Sequence, residues 1–535
     1  METIHLRWNG YSYFPYEKDL ARREIKTIGG VVISESNDEI QIIKDGIPRH
    51  EFDHLTYFHE IVFPDGSKRV PEQARLEASA SSNGILLPTE EFHAITRQST
   101  RYSAHGLHEY KGKFNPQVVR SIGNILKLPE GAWVLDPFCG SGTTLLECAH
   151  NGWNAIGVDL NPLGVLISNA KIYALHTPAK VLKDFADRLH ETLRKATLGL
   201  DFEKLWSERQ MKFVGGEGWL DSLPNSEYLQ AWFPLPVLSQ FALIIQSISS
   251  LGQESNVPFF QVILSDIVRD VSFQDPGDLR IRKRKNPNPN YPVVPMYLHD
   301  LDCKLTRILN AKLLIKTSDF YQEAFIGDSR LALDDISKHF SSRSDAKFDC
   351  AITSPPYATA LPYIDTNRLS LCLLGLIESK GIVKLDRHLT GSREILETKR
   401  RILEDAIINK DSEVIPISVF NLCIQMLLAT EFSDDGFRRR NMPALIYSYF
   451  SDMADVLKSV KSVLKQSGIF ALVVGRNRTC LNGQNISIDT PKLLQDMAVY
   501  NGWNVLDAIE LNTYQRFDLH KQNSIRTESL LLLEK

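Results

Sequence analysis

The segment Val134 to Thr144, VLDPFCGSGTT, constrains this chain more than any other stretch. A short apolar run, a terminal carboxylate and a Gly-x-Gly bend leading back into apolar residues describe a buried strand that ends, turns tightly and restarts as a helix. In an open α/β sheet the carboxyl end of the first strand receives a nucleotide-like ligand in this way, because glycine lets the backbone come close. Far downstream a second apolar run, FDCAI from Phe348 to Ile352, ends in another polar turn, TSPPY from Thr353 to Tyr357. One turn is expected to hold a cofactor and the other a substrate.

Residue chemistry narrows the first turn. A P-loop needs Lys-Ser/Thr after its second glycine to hold phosphates, whereas Gly142 is followed by Thr143-Thr144. A dinucleotide fingerprint needs a small residue where Leu145 stands, which disfavours NAD. Beyond the turn, Thr143 to His150 reads as a short helix stopped at Asn151-Gly152, and Asn154 to Val158 as a second strand ending at Asp159. The interval from Asp136 to Asp159 is close to the roughly 20 residues that separate a glycine turn from a ribose-gripping carboxylate. A third run, Ala324 to Ile326, ends at Gly327-Asp328.

Towards the end of the chain, Ile446, Phe450, Met453, Leu457, Val460 and Leu464 recur at helical spacing, with Gly468 placed as a C-cap and a strand expected over Ile469 to Val474. Asn504 to Leu511 and Ser529 to Leu533 read as a closing antiparallel pair. Pro116 is placed to open a helix reaching Leu126, directly before the first strand. Gly30 to Ile43 has short β-like runs, but residues 1–100 carry no chemical motif.

Two stretches interrupt the strand–helix alternation. Residues 172–320 read as mainly helical, with an apolar helix from Val237 to Ser247 and a basic loop, Arg280 to Lys285, continuing into NPNPNY. Residues 378–440 read as charged and helical, with basic clusters at Lys399 to Arg401 and Arg438 to Arg440. Both are expected to rim the site. The expected division is thus a β-rich N-terminal appendage (1–100), a catalytic domain assembled from 101–171, 321–377 and 441–535, and the two insertions between its parts.

TSPPY in a disordered tail would be a partner ligand, but after a strand of the sheet it acquires a chemistry. Ser354 and the Pro355 carbonyl become hydrogen-bond acceptors at the strand ends and Tyr357 a stacking surface beside them. Acceptors beside an aromatic face suit a planar base bearing an amino group. At this point the chain resembles the S-adenosylmethionine-dependent DNA amino-methyltransferases that act on cytosine N4 or adenine N6. The resemblance rests on DPFCGSGTT, VDLNP, the GD of Gly327-Asp328, TSPPY, and HEYKGKFNPQ before the first strand.

The resemblance implies a Rossmann-like class I methyltransferase fold: a mostly parallel seven-stranded sheet with a terminal antiparallel hairpin, carrying helical insertions. It implies a cofactor site of Lys113, Phe114, Asp136, Phe138, Gly140, Gly142, Thr143, Asp159 and Asp328, with Asp159 on the ribose and Asp328 on the adenine amino group. Catalysis falls to Ser354, Pro355, Pro356 and Tyr357, with no metal, and double-stranded DNA is the substrate. Ser before Pro-Pro-Tyr favours cytosine N4, with adenine N6 as the alternative. An RNA base methyltransferase and a non-catalytic, cofactor-sensing DNA-binding subunit are the competing readings. Asp365, Asn367 and Arg368 are candidates for contacting a flipped nucleotide, against a structural reading as a polar helix start.

Charge and composition set outer limits. A net charge of -4 excludes a uniformly basic nucleic-acid binder while leaving room for a local basic cleft. Seven scattered cysteines without C-x-x-C spacing argue against a disulfide framework or a zinc site. No apolar run approaches the roughly 18 residues of a spanning helix, and the start of the chain lacks signal-peptide order, so a cytoplasmic location is expected. With no nuclease carboxylate–lysine cluster, any restriction endonuclease or defence-system subunit is expected on a separate chain.

Overall fold

The computed structural model describes residues 3–43, 46, 48–81, 98–200, 218–252, 257–275, 277–278, 281–285, 291–315, 320–331, 347–358, 363–430, 436–512 and 527–535. Seven strands form the central sheet: β1 (Trp133–Asp136), β2 (Asn154–Asp159), β3 (Gln322–Ile326), β4 (Phe348–Thr353), β5 (Leu464–Gly475), β6 (Asn504–Asn512) and β7 (Thr527–Glu534). Their order across the sheet is 6-7-5-4-1-2-3. Neighbours run parallel except β7, which is antiparallel to both β5 and β6.

This order reverses between β1 and β4. The chain first winds outward through β2 and β3, then returns to lay β4 on the other side of β1. Loops leaving the carboxyl ends of β1 and β4 therefore diverge and open a crevice, the topological switch point where open α/β sheets bind ligands. The fold is Rossmann-like, as the resemblance implied.

Strand alternation explains why the sheet is covered on both faces. Val134, Ala155, Cys350, Ile352, Ala471 and Val473 join one apolar cluster with the helices Pro116–Ile125, Thr143–Asn151 and Pro162–His176. Their neighbours Leu135, Ile156, Ala351, Phe470 and Leu472 join a second cluster with the helices Met442–Val463 and Thr490–Tyr500. Each fully buried Leu, Ile or Val in these layers contributes on the order of 1.5–3 kcal/mol relative to exposure.

The C-cap expected at Gly468 falls elsewhere. The helix ends at Val463, and Leu464 already has extended backbone at the start of β5. Gly468 lies inside β5, where an added Cβ would stand 2.9 Å from the Lys465 carbonyl oxygen. Pairing with β4 is irregular between Leu464 and Ile469, so the glycine serves a bend within the strand.

Residues 1–100 contribute a five-stranded antiparallel sheet formed by Thr3–Trp8, Val31–Glu35, Glu39–Ile43, Phe58–Val62 and Lys68–Arg69, with the helix Pro15–Thr27. This part is tied to the seven-stranded sheet and its helices by polar contacts, one buried and one partly exposed. The fully buried Arg120 donates to Asn151 at 2.9 Å and to Gln73 at 3.2 Å, while Arg23 pairs with Asp507 of β6 at 2.5 Å.

The helices Ala179–Ala196, Leu235–Leu251, Val257–Val268 and Val293–Lys312 build the first long insertion. In the second, Glu397–Asn409 and Ile417–Thr430 pack on Met442–Val463. No helix among the described residues is long and apolar enough to cross a membrane. All seven cysteines are free thiols, five of them buried.

Candidate active site

A cavity of about 800 Å³ opens at the carboxyl ends of β1, β2 and β4. Its walls bring together the two sequence turns, the segment preceding β1 and, unforeseen from the sequence, residues of the N-terminal part and of β7.

On the β1 side, Gly140 and Gly142 adopt left-handed backbone, with φ of 48° and 75°. At Gly142 a Cβ would also stand 2.9 Å from the Ser168 Cα, so the helix Pro162–His176 holds the turn from behind. Ser168 Oγ donates to the Gly140 carbonyl at 2.9 Å and the buried Lys171 ammonium to the Ser141 carbonyl at 2.6 Å. Burial lowers the Lys171 pKa to about 7.

Asp159 braces the same turn. One carboxylate oxygen accepts the Gly140 N–H at 2.8 Å and the other the Asn161 N–H at 2.8 Å, and each keeps capacity for a further donor. Burial raises its carboxyl above the usual range, with these two donors acting against it. Asn161 Nδ2 donates to Tyr110 Oη at 3.1 Å, which sets the Tyr110 ring over Gly140. Lys113 points inward, donating to the Thr100 carbonyl at 2.7 Å and the His105 carbonyl at 3.1 Å. Desolvation holds its ammonium well below the ordinary lysine value.

On the β4 side, Ser354, Pro355, Pro356 and Tyr357 all line the cavity. The two turns are coupled beneath its floor, because Asp136 Oδ1 accepts from Thr353 Oγ1 at 2.5 Å and from the Phe138 N–H at 3.1 Å. Burial lifts the Asp136 carboxyl to about 6 against these donors.

The sequence-derived set therefore divides. Lys113, Phe114, Phe138, Gly140 and Asp159 share the cavity with Ser354, Pro355, Pro356 and Tyr357. Asp136, Gly142 and Thr143 stand behind the wall: Asp136 and Thr143 are buried, and Gly142 caps the helix Thr143–Asn151. Asp328 is outside the lining and engaged with Arg330 at 2.6 Å; Arg330 also reaches Asp452 at 3.1 Å and the His388 carbonyl at 2.8 Å. Burial alone would raise the Asp328 carboxyl, but the guanidinium outweighs it and holds the group below its ordinary value. An adenine amino group at Asp328 would share this carboxylate with Arg330.

Other candidates resolve as structure. Arg368 pairs with Asp365 at 2.7 Å and Asn367 is buried, so the start of the helix Tyr363–Leu373 is knit internally and does not line the cavity. Arg284 donates to the carbonyls of Gln274, Arg269 and Asp270, which closes its loop and leaves Arg282, Lys283 and Lys285 as the exposed cations there. Arg280 and the NPNPN stretch lie outside the described residues, while Arg439 and Arg440 are exposed. The buried group His105, Glu147 and His150 could hold a metal by composition. It is held as a hydrogen-bonded network, in which Tyr102 donates to the Glu147 oxygen that His105 and His150 also approach, at 2.7, 2.7 and 3.0 Å.

Sequence reasoning missed Tyr11, Phe14 and Tyr16, which bring aromatic surface from the N-terminal part, and Glu528 at the start of β7. It also missed Leu389, by which the second insertion reaches the cavity; Gly391 nearby has φ of 76°, and a Cβ there would stand 2.9 Å from the Tyr357 carbonyl oxygen. Among the described residues, none between 172 and 320 lines the cavity, whereas the second insertion reaches it.

A Rossmann-like sheet whose first and fourth strands deliver a glycine turn and a Ser-Pro-Pro-Tyr turn into one cavity has the architecture of a methyltransferase. Comparison with known proteins narrows the class. Residues 44–169 match the N6_N4_Mtase family model, described as DNA methylase. The chain is 25% identical over 414 residues to the type II methyltransferase M.MvaI of Kocuria varians, covering 75% of this chain and 82% of that one. It is 24% identical over 342 residues to the type II methyltransferase M.MjaII of Methanocaldococcus jannaschii, covering 51% and 62%. A shorter match, 31% over 120 residues, joins it to a tRNA (guanine(10)-N2)-dimethyltransferase of the same organism, covering 20% and 32%. Together these matches support an amino-methyltransferase of the N4/N6 type.

Proposed function

We propose that the chain methylates the exocyclic amino nitrogen of a base flipped out of double-stranded DNA, within a short target sequence, with cytosine N4 favoured over adenine N6. The observation that carries this reading is the shared cavity: Ser354 to Tyr357 line it together with Gly140 and Asp159. The match of residues 44–169 to a DNA methylase family model supports DNA as the substrate.

The donor is S-adenosylmethionine, whose sulfonium supplies an already activated methyl group. The residues fit such a group: Asp159 offers carboxylate lone pairs to ribose hydroxyls, Gly140 leaves backbone open beneath Tyr110, and Lys113 and Phe114 close the wall. The chain's own task is the acceptor. An exocyclic amino nitrogen delocalises its lone pair into the ring, so it attacks only when acceptors hold its hydrogens and aim that pair at the methyl carbon. Ser354 Oγ and the Pro355 carbonyl serve this role, chiefly by orientation. The new N–C bond forms as the S–C bond breaks, and the amino nitrogen then sheds one proton to solvent. Tyr357 stacking, worth about 1–3 kcal/mol, offsets part of the few kcal/mol that flipping costs.

In this reading the first hundred residues wall the cavity, the catalytic domain comprises 101–171, 321–377 and 441–535, and the helical insertion 172–320 meets the DNA backbone. Replacing Arg282 and Lys285 by glutamine is expected to weaken binding to all DNA sequences and to lower the log–log salt slope by up to about 2. Fluorescence anisotropy across a salt series checks this; a loss confined to the target sequence with an unchanged slope would make the loop a base reader.

The short match to a tRNA methyltransferase gives RNA as the second reading. Incubation with methyl-labelled cofactor and, separately, genomic DNA, total tRNA or neither distinguishes them. Label is expected in DNA alone; label in tRNA alone would overturn the DNA assignment.

A further inference from the structure

Three separate parts of the chain clamp the catalytic turn. Asn477, just after β5, donates through Nδ2 to the Ala358 carbonyl at 2.6 Å. Gly391 of the second insertion packs so closely on the Tyr357 carbonyl oxygen that no side chain fits between them. The third clamp acts on the Tyr357 side chain, whose hydroxyl donates to Glu528 Oε1 at 2.6 Å across 171 residues of sequence.

Glu528 is out of keeping with its strand. The segment TESLLLLE is apolar from Leu530 to Leu533, and β7 lies between β5 and β6 rather than at an edge. Glu528 sits opposite Gly475 of β5 and Leu511 of β6, and its side chain lines the cavity. A carboxylate in an interior strand is desolvated, and burial duly raises its carboxyl above the ordinary value while the Tyr357 hydroxyl acts against that rise. Such a group persists at a cost unless a donor meets it. Here the donor is the phenol of the residue whose ring faces the substrate.

We infer that Glu528 is a positioning residue for Tyr357: its carboxylate holds the phenol hydroxyl and thereby fixes where the tip of the ring lies, and because a phenol O–H prefers the plane of its ring the bond also biases the plane on which the target base stacks. The contact adds a fixed end point to whatever else holds the ring, and stacking requires one placement of that ring. The carboxylate makes the ring a pre-set platform, so the orienting cost is met before the base arrives. This inference rests on the reading that Tyr357 stacks a flipped base.

The test combines single-turnover methyl transfer to target duplex DNA with 19F resonances of the full chain carrying 3-fluorotyrosine, the Tyr357 signal being assigned by its loss in Tyr357→Phe. Glu528→Ala is expected to slow transfer about tenfold to thirtyfold, in the range set by one hydrogen bond to a charged group, with cofactor affinity by calorimetry within about twofold. Tyr357→Phe should cause a similar loss, and the double variant no more than either single one. Glu528→Gln keeps an acceptor oxygen and is expected within about threefold of the unaltered chain. The Tyr357 resonance should shift in Glu528→Ala and be largely restored in Glu528→Gln. An unshifted resonance overturns the inference whatever the activity, and so do multiplicative losses in the double variant. If the resonance shifts but the unaltered chain methylates no DNA, the contact stands and the DNA reading fails.

Discussion

Replacing Ser354 with alanine is expected to slow methyl transfer by roughly tenfold to a hundredfold or more while leaving cofactor affinity nearly unchanged. The hydroxyl lines the cavity at the end of β4, next to the Pro355 carbonyl. Its removal deletes one acceptor for the amino hydrogens, and an orienting hydrogen bond of about 1–3 kcal/mol converts to that range of rates. The backbone of the turn should survive, because it is held by Asn477, by the packing of Gly391 and, through Thr353, by Asp136. Single-turnover kinetics at saturating cofactor reads the effect. An unchanged rate would leave Ser354 as a structural turn residue and pass the acceptor role to the Pro355 carbonyl alone.

Asp159→Ala is expected to lower cofactor affinity on the order of a hundredfold or more. Two losses combine: the carboxylate would accept from ribose hydroxyls, and it also accepts the Gly140 and Asn161 N–H groups that set the shape of the cofactor turn. Hydrogen bonds to charged groups contribute about 1.5–3 kcal/mol each, so losing even two exceeds a factor of 100. Asp159→Asn retains one carbonyl acceptor and should fall between the alanine variant and the unaltered chain. Calorimetry with S-adenosylmethionine measures the affinity, and thermal melting checks that the variants fold. An affinity unchanged in a folded Asp159→Ala protein would remove this residue from the cofactor site.

Much of this site could be read from sequence because strand ends and turns are local. VLDPFCGSGTT contains a strand, a left-handed glycine bend and a helix start within eleven positions, and the structure keeps all three. Likewise Pro116 signals a helix N-terminus, and in the structure the Asn115 side chain caps it by accepting the Gln117 N–H. The switch-point crevice followed from strands that each end in a polar turn.

Long-range partnerships were not legible. Glu528 meets Tyr357 from 171 positions away, and nothing in an apolar strand marks which acidic residue faces a cavity. The Tyr11 to Tyr16 wall has no motif, since aromatic residues near a β-rich segment read as core. Gly468 shows a local rule overruled: the strand begins before the glycine that was expected to stop the helix, because pairing of Leu464 with Phe348 starts at once. The Asp328–Arg330 pair illustrates the remaining difficulty. Both residues were visible two positions apart, yet only the three-dimensional placement of Asp452 and the His388 carbonyl showed that the guanidinium is held against that carboxylate.

On this reading the cavity delivers a methyl group to the exocyclic amino nitrogen of a DNA base. Mass spectrometry of nucleosides from DNA treated with the purified chain and S-adenosylmethionine tests it most directly. N4-methylcytosine is expected, and about tenfold less or lower still in DNA treated with Ser354→Ala for the same short time. N6-methyladenine without N4-methylcytosine would contradict the choice of base while preserving the reaction. Methyl label on a ring carbon, or no methylated nucleoside in DNA of any sequence, would contradict amino-group methylation of DNA.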